Sequence, residues 1–301
     1  MNIALFILLI YIVAVMQMHY RGKVRLSPAR QFLTHTNYLA PYNLLMNLFS
    51  TLPNRPLLNI DDLAELRVLR DNWEVIRDEA LDLAAQGEIK AADGLNDAGF
   101  NSFFRSGWTR FYLKWYGEPL DSANRQCPKT LEILKQVPSV KAAMFASLPA
   151  GGSLTAHRDP FAGSLRYHLG LVTPNHDDCY ILVDGEKHVW HDGKDVLFDE
   201  TYIHEAHNNT DINRIILFCD VNRPMKLGII NKLNNFMSST LMRAAATRNE
   251  QGEPIGVVNR VFAKVYSIRV VARRIKRWNK PFYRFLKYTL YLTMLYLIFF
   301  W

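Results

Sequence analysis

Cysteine is scarce in this chain of 301 residues, and the few cysteines lie far apart. Cys127, Cys179 and Cys219 show no paired spacing, which excludes a disulfide framework and a thiolate zinc site and is typical of reduced thiols in a cytosolic domain. The glycines within residues 149–152 come without the lysine of a phosphate-binding loop, so they do not indicate a nucleotide site. The sequence carries no nucleic-acid-binding signature and gives no sign of an obligate protein partner.

Charged residues are absent from residues 1–20. This stretch is about long enough to cross the core of a bilayer as a helix. Because it lacks the basic start and the small-residue cleavage site of a signal peptide, we interpret it as an uncleaved transmembrane anchor. Arg21, Lys23 and Arg25 follow directly, and the positive-inside rule then places the remainder of the chain in the cytoplasm.

Acidic residues are almost absent from the C-terminal part. Residues 225–301 hold fourteen Lys and Arg residues against Glu250 and Glu253, although the whole chain has a net charge of only +8. Basic ends beside apolar runs fit an anionic membrane surface better than nucleic acid. We therefore interpret residues 225–280 as basic amphipathic helices on a membrane surface. Residues 281–301 are interpreted as a hydrophobic membrane segment that either spans the bilayer or lies on it.

The central part of the chain divides into a linker and one domain. Residues 21–58 are punctuated by prolines and predict a juxtamembrane linker, whereas residues 59–224 have the composition of a folded domain. From Ile60 to Gln86 apolar residues recur at helical spacing, which predicts one long packing helix that ends at Gly87.

The rest of this domain has the pattern of a β structure. Residues 108–116 alternate between faces as a strand does. Further short strands are separated by turn pairs such as Asp184-Gly185 and Asp192-Gly193. The expected fold is a mainly β core of the double-stranded β-helix or jelly-roll type, cupin-like, with flanking helices.

Histidine is concentrated in one region, because seven of the nine histidines fall between His157 and His207. The pair His157-x-Asp159, followed later by His204, is the arrangement that holds non-haem Fe(II), since two imidazoles and one carboxylate leave one face of the metal open. Residues two apart on a strand point to the same side, so we expect His157 and Asp159 to face one ion, with His204 supplied by another strand. His207 is the one serious rival ligand, but its spacing from His204 is one residue short of the zinc-protease motif.

Two arginines accompany these histidines. Arg214 stands at the head of an apolar strand, where an unpaired cation is costly and a ligand carboxylate is a natural bidentate partner. Arg166 lies two residues before His168 and should share its face. We expect Arg166 either to contact the substrate or to pair with a carboxylate of the core.

These motifs resemble the aspartyl/asparaginyl β-hydroxylase family of Fe(II)/2-oxoglutarate-dependent dioxygenases. The likeness covers roughly residues 55–224 and rests on the following stretches: Asn72-Trp73, Trp108-x-x-Phe111-x-Leu113, Pro128-Lys129-Thr130, Arg166-x-His168-Leu169-Gly170-Leu171-Val172-x-Pro174, Phe198-Asp199-x-x-x-x-His204-Glu205 and Arg214.

The resemblance implies a set of site residues. Iron would lie on His157 and His204, the carboxylates of 2-oxoglutarate on His168 and Arg214, and a small polar contact near Ser147. The animal peptide hydroxylases of the family have glycine where this chain has Asp159. The departure strengthens the metal prediction and weakens the expectation of a peptide substrate.

With its basic and apolar ends, the chain is most similar to the bacterial lipid A acyl-chain 2-hydroxylases of this family. The resemblance implies a dioxygenase that uses Fe(II), 2-oxoglutarate and O2 to hydroxylate carbon 2 of a secondary acyl chain of lipid A or its precursor. The expected location is the bacterial inner membrane, with the catalytic domain on the cytosolic side. A peptidyl aspartyl/asparaginyl hydroxylase and a non-catalytic metal-binding membrane adaptor remain as alternatives.

Overall fold

A computed structural model describes residues 3–300, without the side chains of Ala4, Ala29, Phe32, Leu33, Ser267, Arg269, Met294, Leu295 and residues 298–300. The α-helices are α1 (Ile3–Tyr20), α2 (Pro28–Leu33), α3 (Ala40–Phe49), α4 (Arg67–Asp71), α5 (Trp73–Ala85), α6 (Asp121–Gln126), α7 (Pro128–Lys135), α8 (Gly228–Met237), α9 (Val257–Trp278) and α10 (Lys280–Phe300). The strands are β1 (Leu57–Leu58), β2 (Thr109–Trp115), β3 (Val140–Leu148), β4 (Ser153–His157), β5 (Ser164–Val172), β6 (Cys179–Val183), β7 (Glu186–Val189), β8 (Asp195–Phe198), β9 (His204–Asn208) and β10 (Arg214–Asn222).

The strands form two antiparallel sheets, as the jelly-roll prediction requires. The larger sheet has the order β1-β8-β5-β10-β3-β2, and the smaller has the order β4-β9-β6-β7. One hydrophobic cluster includes Met144, Ala146 and Phe218 from the larger sheet and Ile181 and Val183 from the smaller one. Because side chains alternate along a strand, the same strands of the larger sheet present a second apolar face to the flanking helices. The mainly β core with flanking helices is thereby confirmed.

The second face of the larger sheet packs against α4, α5 and α7. Its cluster joins Phe145, Tyr167 and Leu217 of the sheet with Leu69 and Ile76 of the helices. A packed layer on each side of this sheet fixes its strands, and it therefore gives the site between the sheets a rigid wall.

The single helix predicted over residues 60–86 is broken in two places. Residues Ile60–Leu66 form a 3-10 helix with a non-helical backbone at Leu63, and α4 stops at Asp71. The side-chain amide of Asn72 (Nδ2) then donates a hydrogen bond of 2.8 Å to the Val68 carbonyl oxygen, and it so takes the place of a backbone N–H donor. The apolar residues keep their helical spacing across the break, so the sequence pattern does not reveal the kink. Gly87, with φ of +73°, follows the end of α5 as predicted.

Residues 21–58, predicted to be a linker, include several regular elements. The helices α2 and α3 lie in this segment, and β1 joins the edge of the larger sheet with Leu57 opposite Phe198. Buried Ala14, Val15 and Met18 of α1 pack with Ala40 of α3. This segment is therefore part of the folded body between α1 and the sheets.

The C-terminal part is helical. Within the predicted amphipathic region 225–280, the helix α8 is followed by a π turn, Ser238–Met242, and a 3-10 turn, Arg243–Ala245. The helix α9 also lies in this region, and α10 begins at Lys280, one residue before the predicted segment 281–301. Across residues 3–300, no helix combines the length and the apolar character that membrane crossing requires, so the predicted membrane segments are unconfirmed. Met1, Asn2 and Trp301 of those segments lie outside the described residues.

Candidate metal centre

The metal-binding trio predicted from the sequence comes together at one edge of the smaller sheet. Ligand atoms of His157, Asp159 and His204 all lie within 4.8 Å of one another. The last residue of β4, His157, pairs directly with the first residue of β9, His204. Asp159 comes from the loop after β4 and not from the strand itself, so the predicted strand alternation is not what places it.

Both histidine rings are oriented by backbone carbonyl groups. Nδ1 of His157 lies 2.7 Å from the Thr155 carbonyl oxygen, and Nδ1 of His204 lies 3.0 Å from that of Tyr202. A proton on Nδ1 satisfies each carbonyl and leaves Nε2 of both rings as a lone-pair donor. The two rings are thus set to bind a cation through Nε2.

The charges at this trio suit a divalent metal. Burial, and then the neighbouring His157, lowers the pKa of His204 to about 3, so its imidazole is neutral at ordinary pH. Burial by itself raises the pKa of Asp159, but the positive charge of Arg166 leads the neighbouring interactions that outweigh it and hold the pKa below its usual value. Two imidazoles and one carboxylate are the donor set of the open-faced non-haem iron site.

A pocket opens between the sheets beside the trio. Its cavity volume is about 30 Å³, and it is partly open to solvent. The lining includes aromatic and aliphatic side chains from both sheets, together with two histidine ligands and three further polar residues. Its lining residues are Phe103, Trp108, Leu154, His157, Arg166, His168, Ile181, Trp190, Phe198, His204, Ala206, Arg214, Ile216 and Phe218.

One end of the pocket holds buried donors without partners. Within the described residues, neither ring nitrogen of His168, nor Nε of Arg214, nor Nε1 of Trp190 makes a hydrogen bond. The Arg214 guanidinium lies 4.3 Å from the centre of the Trp190 ring, and burial lowers its pKa to about 10. A buried cation with unpaired donors is costly, and a carboxylate would satisfy the charge and the donors together. The pocket therefore fits an anionic carboxylate ligand.

Comparison with known proteins names the family. The sequence model of the aspartyl/asparaginyl β-hydroxylases matches residues 70–224, which is more than half of the chain. The chain belongs to this family. The membership inferred from the sequence motifs is thereby confirmed.

Several individual proteins are similar to this β-hydroxylase family member. The ornithine lipid ester-linked acyl 2-hydroxylase of Rhizobium tropici is 39% identical over 120 residues, or 40% of this chain and 43% of that protein. The human aspartyl/asparaginyl β-hydroxylase is 29% identical over 164 residues, or 53% of this chain and 21% of that protein. The matches thus span less than half the length of each relative. A solved structure of a Pseudomonas putida prolyl-4-hydroxylase is 17% identical with a TM-score of 0.34, covering 51% of this chain and 87% of that chain.

Of the other residues predicted for the β-hydroxylase site, Ser147 lies elsewhere, and Arg166 shows one of its two predicted alternatives, the pairing with carboxylates of the core. Ser147 does not line the pocket, because it pairs with Ile215 on the face of the sheet that packs on the helices, while its neighbour Ala146 faces the space between the sheets. Arg166 does line the pocket, but its guanidinium pairs with carboxylates of the chain itself. His207, the rival ligand, stacks on Tyr180 outside the trio.

Other residues around the site were not predicted from the sequence. Trp190 closes the pocket beside Arg214, and the Phe103 ring lies 4.9 Å from the His157 ring. Glu200 and Asp220 pair with Arg166. The sequence position of Glu200, between Asp199 and His204 in the family motif, could have indicated its place near the site. Trp190, Phe103 and Asp220 come from distant parts of the chain, and no sequence pattern indicated their place.

Proposed function

We propose that the protein hydroxylates carbon 2 of an ester-linked acyl chain of a membrane lipid, using Fe(II), 2-oxoglutarate and O2. The substrate favoured by the sequence is the secondary acyl chain of lipid A or its precursor. The observation that carries the proposal is the juxtaposition of the His157–Asp159–His204 trio with the unpaired donors of His168 and Arg214 in one pocket.

The residues divide into two groups around the pocket. The trio would hold Fe(II) through two imidazole nitrogens and one carboxylate oxygen. Arg214 would bind a carboxylate of 2-oxoglutarate through its free Nε, and the neutral His168 would donate a hydrogen bond to a carboxylate oxygen. Bound iron, with 2-oxoglutarate and O2, supplies the oxidising power for C–H hydroxylation and yields succinate and CO2.

The remaining lining fits an apolar substrate and excludes water. Phe103, Leu154, Ile181 and Phe198 present apolar groups to the pocket, and they give a hydrocarbon chain a favourable environment next to the trio. An apolar lining that excludes water also protects a reactive site from side reactions with solvent. The name of the Rhizobium relative, an acyl 2-hydroxylase, supports the same class of substrate.

The ends of the chain support action at a membrane surface on the cytosolic side of the bacterial inner membrane. α1 exposes a series of large apolar side chains, among them Leu5, Phe6 and Leu9. α9 exposes Val261, Val265 and Ile268 together with several arginines and lysines. Apolar groups bordered by basic ones suit the interface of an anionic lipid layer.

The test is mass spectrometry of lipid extracts from cells that express the wild-type chain or His157→Ala. We expect one added oxygen on an acyl chain of lipid A only when His157 is intact. An oxygen added to the acyl chain of ornithine lipid instead would keep the reaction and replace the lipid. Lipids without any added oxygen, from cells whose enzyme releases succinate, would refute the lipid substrate.

The second candidate is a peptidyl aspartyl/asparaginyl hydroxylase, favoured by the 29% identity to the human enzyme of that name. Purified protein is incubated with 2-oxoglutarate and either lipid or protein extract, and succinate is measured. Stimulation by protein extract alone would place this candidate first. Metal binding without succinate under any condition would instead indicate the non-catalytic membrane adaptor.

A further inference from the structure

Arg166 is the most heavily paired cation beside the metal centre. Its Nε donates to Oδ1 of Asp220 at 2.9 Å, and its Nη2 donates to Oδ2 of Asp159 at 2.9 Å and to Glu200. The guanidinium carbon lies 3.8 Å from the centre of the Phe218 ring, which covers one face of the group. The side chain is 7% exposed, so solvent competes little with these pairs.

The carboxylates around Arg166 are themselves fixed from behind. The Tyr116 hydroxyl donates to Oδ2 of Asp220 at 2.9 Å, and the Ser164 hydroxyl donates to Oε1 of Glu200 at 2.7 Å. The backbone N–H of Asp159 donates to the Glu200 carbonyl oxygen at 2.9 Å. Asp220 and Glu200 therefore form a rigid support, and Arg166 transmits that support to the metal-facing carboxylate.

We infer that Arg166 is a positioning residue that orients Asp159 for the metal and, being committed to three carboxylates of its own chain, makes the site select uncharged hydrocarbon over an acidic side chain. The second part rests on the proposed function. A fourth carboxylate brought to this cluster would have to compete with Asp159, Glu200 and Asp220 for one buried guanidinium, and a buried carboxylate without a full partner is costly. An acyl chain brings no charge and meets no such cost.

The positioning role is tested by metal affinity, which needs no substrate. Co(II) is titrated into the full-length protein by calorimetry, and its visible spectrum reports the coordination geometry. We expect Arg166→Gln to weaken Co(II) binding about 10- to 100-fold and to alter the spectrum, because Asp159 loses the guanidinium that holds its carboxylate in place. Arg166→Lys should recover part of the affinity, and Asp220→Asn should weaken it less than Arg166→Gln.

The matched control is Arg110→Gln, which breaks another buried pair, the one between Arg110 and Asp97 at 3.1 Å, outside the residues that line the pocket. Both glutamine variants lose stability, but only the change at Arg166 should move the metal affinity and the spectrum. Equal Co(II) affinity in the wild type and Arg166→Gln, or an equal loss in Arg110→Gln, would overturn the positioning role.

The selectivity is tested separately with an aspartyl peptide and a dispersed acyl lipid, both followed by mass spectrometry. We expect the wild type to leave the peptide unmodified. The inference would be overturned if the wild type hydroxylated the peptide and Arg166→Lys raised the KM for the peptide without changing the Co(II) affinity. Arg166 would then be a substrate contact. Should neither substrate react, the proposed function fails, but the Co(II) titration still decides whether Arg166 positions Asp159.

Discussion

Arg214 brings a buried guanidinium into the pocket, and its Nε has no hydrogen-bond partner in the part of the chain that the structure describes. The consequence can be measured at this single residue. Replacing it with methionine keeps much of the side-chain volume but removes the charge and the donors. A hydrogen bond to a charged group contributes about 1.5–3 kcal/mol, so the KM for 2-oxoglutarate should rise about 10- to 100-fold in Arg214→Met. Steady-state succinate release against 2-oxoglutarate concentration measures it. An unchanged KM in a variant that unfolds like the wild type would exclude Arg214 from the carboxylate site.

His188 gives the protein a pH-dependent stability. Burial, followed by the nearby His191, lowers the pKa of His188 from 6.5 to about 4 in the folded protein. Between these values the unfolded chain binds a proton that the folded chain does not, so the free energy of unfolding falls as the pH drops from about 6.5 towards 4. We expect His188→Gln to flatten this part of the curve by about 1–2 kcal/mol. Urea unfolding at a series of pH values tests this, and an equally steep decline in both proteins would contradict it.

At the scale of single residues, the sequence identifies the metal trio but not what supports it. His157, Asp159 and His204 have a spacing that few other chemistries use. The partners of Arg166 are unpredictable, because Glu200 and Asp220 lie 34 and 54 residues further along the chain. Asp220 meets Arg166 across the paired strands β10 and β5, and Glu200 meets it from the turn after β8. The pocket contact predicted for Ser147 is not formed, because a shift of one position on a strand moves a side chain to the opposite face of the sheet.

The N-terminal helix is tied to the loop that delivers His204. Just after α1, Arg21 pairs with Asp199 at 2.5 Å and donates to the Thr201 hydroxyl at 2.9 Å, while Arg223 pairs with the same Asp199 at 2.9 Å. The charges of both arginines hold the pKa of Asp199 well below its usual range despite its burial. The helix and the metal-ligand loop are thus joined through one buried carboxylate.

Removing that carboxylate should be costly. Asp199→Asn leaves two buried arginines without their counter-charge, and we expect a loss of about 3 kcal/mol in the free energy of unfolding. Glu186→Gln is the matched control, because its pair with Lys23 is exposed and should change stability by less than about 1 kcal/mol. Urea unfolding of the metal-free proteins measures both. Similar small losses in the two variants would show that the buried pair does not secure the loop.

Regular elements were predictable where one face is apolar and the pattern is long. The strand predicted at residues 108–116 corresponds to β2, and the amphipathic helices predicted within residues 225–280 include α9. The break at Asn72 was missed because it depends on a side-chain hydrogen bond to Val68 and leaves the apolar spacing intact. In the sequence, Gly170 stands out only as a member of the His168-Leu169-Gly170 family motif, and the motif does not explain why glycine is needed there. In the structure a side chain there would collide with the His191 carbonyl oxygen, which explains the need for glycine.

For the whole molecule, the apolar and basic surfaces lie at the two ends of the chain, and the pocket lies in the body between them. α1 carries mainly apolar exposure, whereas α9 combines exposed valines and isoleucine with exposed basic residues. Composition alone predicted this distribution of charge, because it depends on residue counts along the chain. Which helices pack against the body could not be predicted in the same way, since it depends on contacts such as that between Met18 and Ala40.

The basic end of α9 should dominate attachment to anionic lipid. Four exposed residues are changed together to glutamine: Arg273, Arg274, Lys276 and Arg277. Each basic residue near an anionic surface contributes about 1 kcal/mol, so partitioning onto vesicles that contain anionic lipid should fall at least about 100-fold. Wild-type binding should also weaken as salt is added, because screening shortens the range of these charges.

Vesicle flotation of the full-length chain measures this attachment, with zwitterionic vesicles as the reference. The matched control changes four exposed basic residues of the domain that holds the pocket, Arg67, Arg125, Lys129 and Lys135, and carries the same loss of charge. If net charge alone governed binding, both variants would detach equally. We expect detachment only in the α9 variant, because α9 places apolar side chains beside its basic ones, and the two contributions act together at one interface.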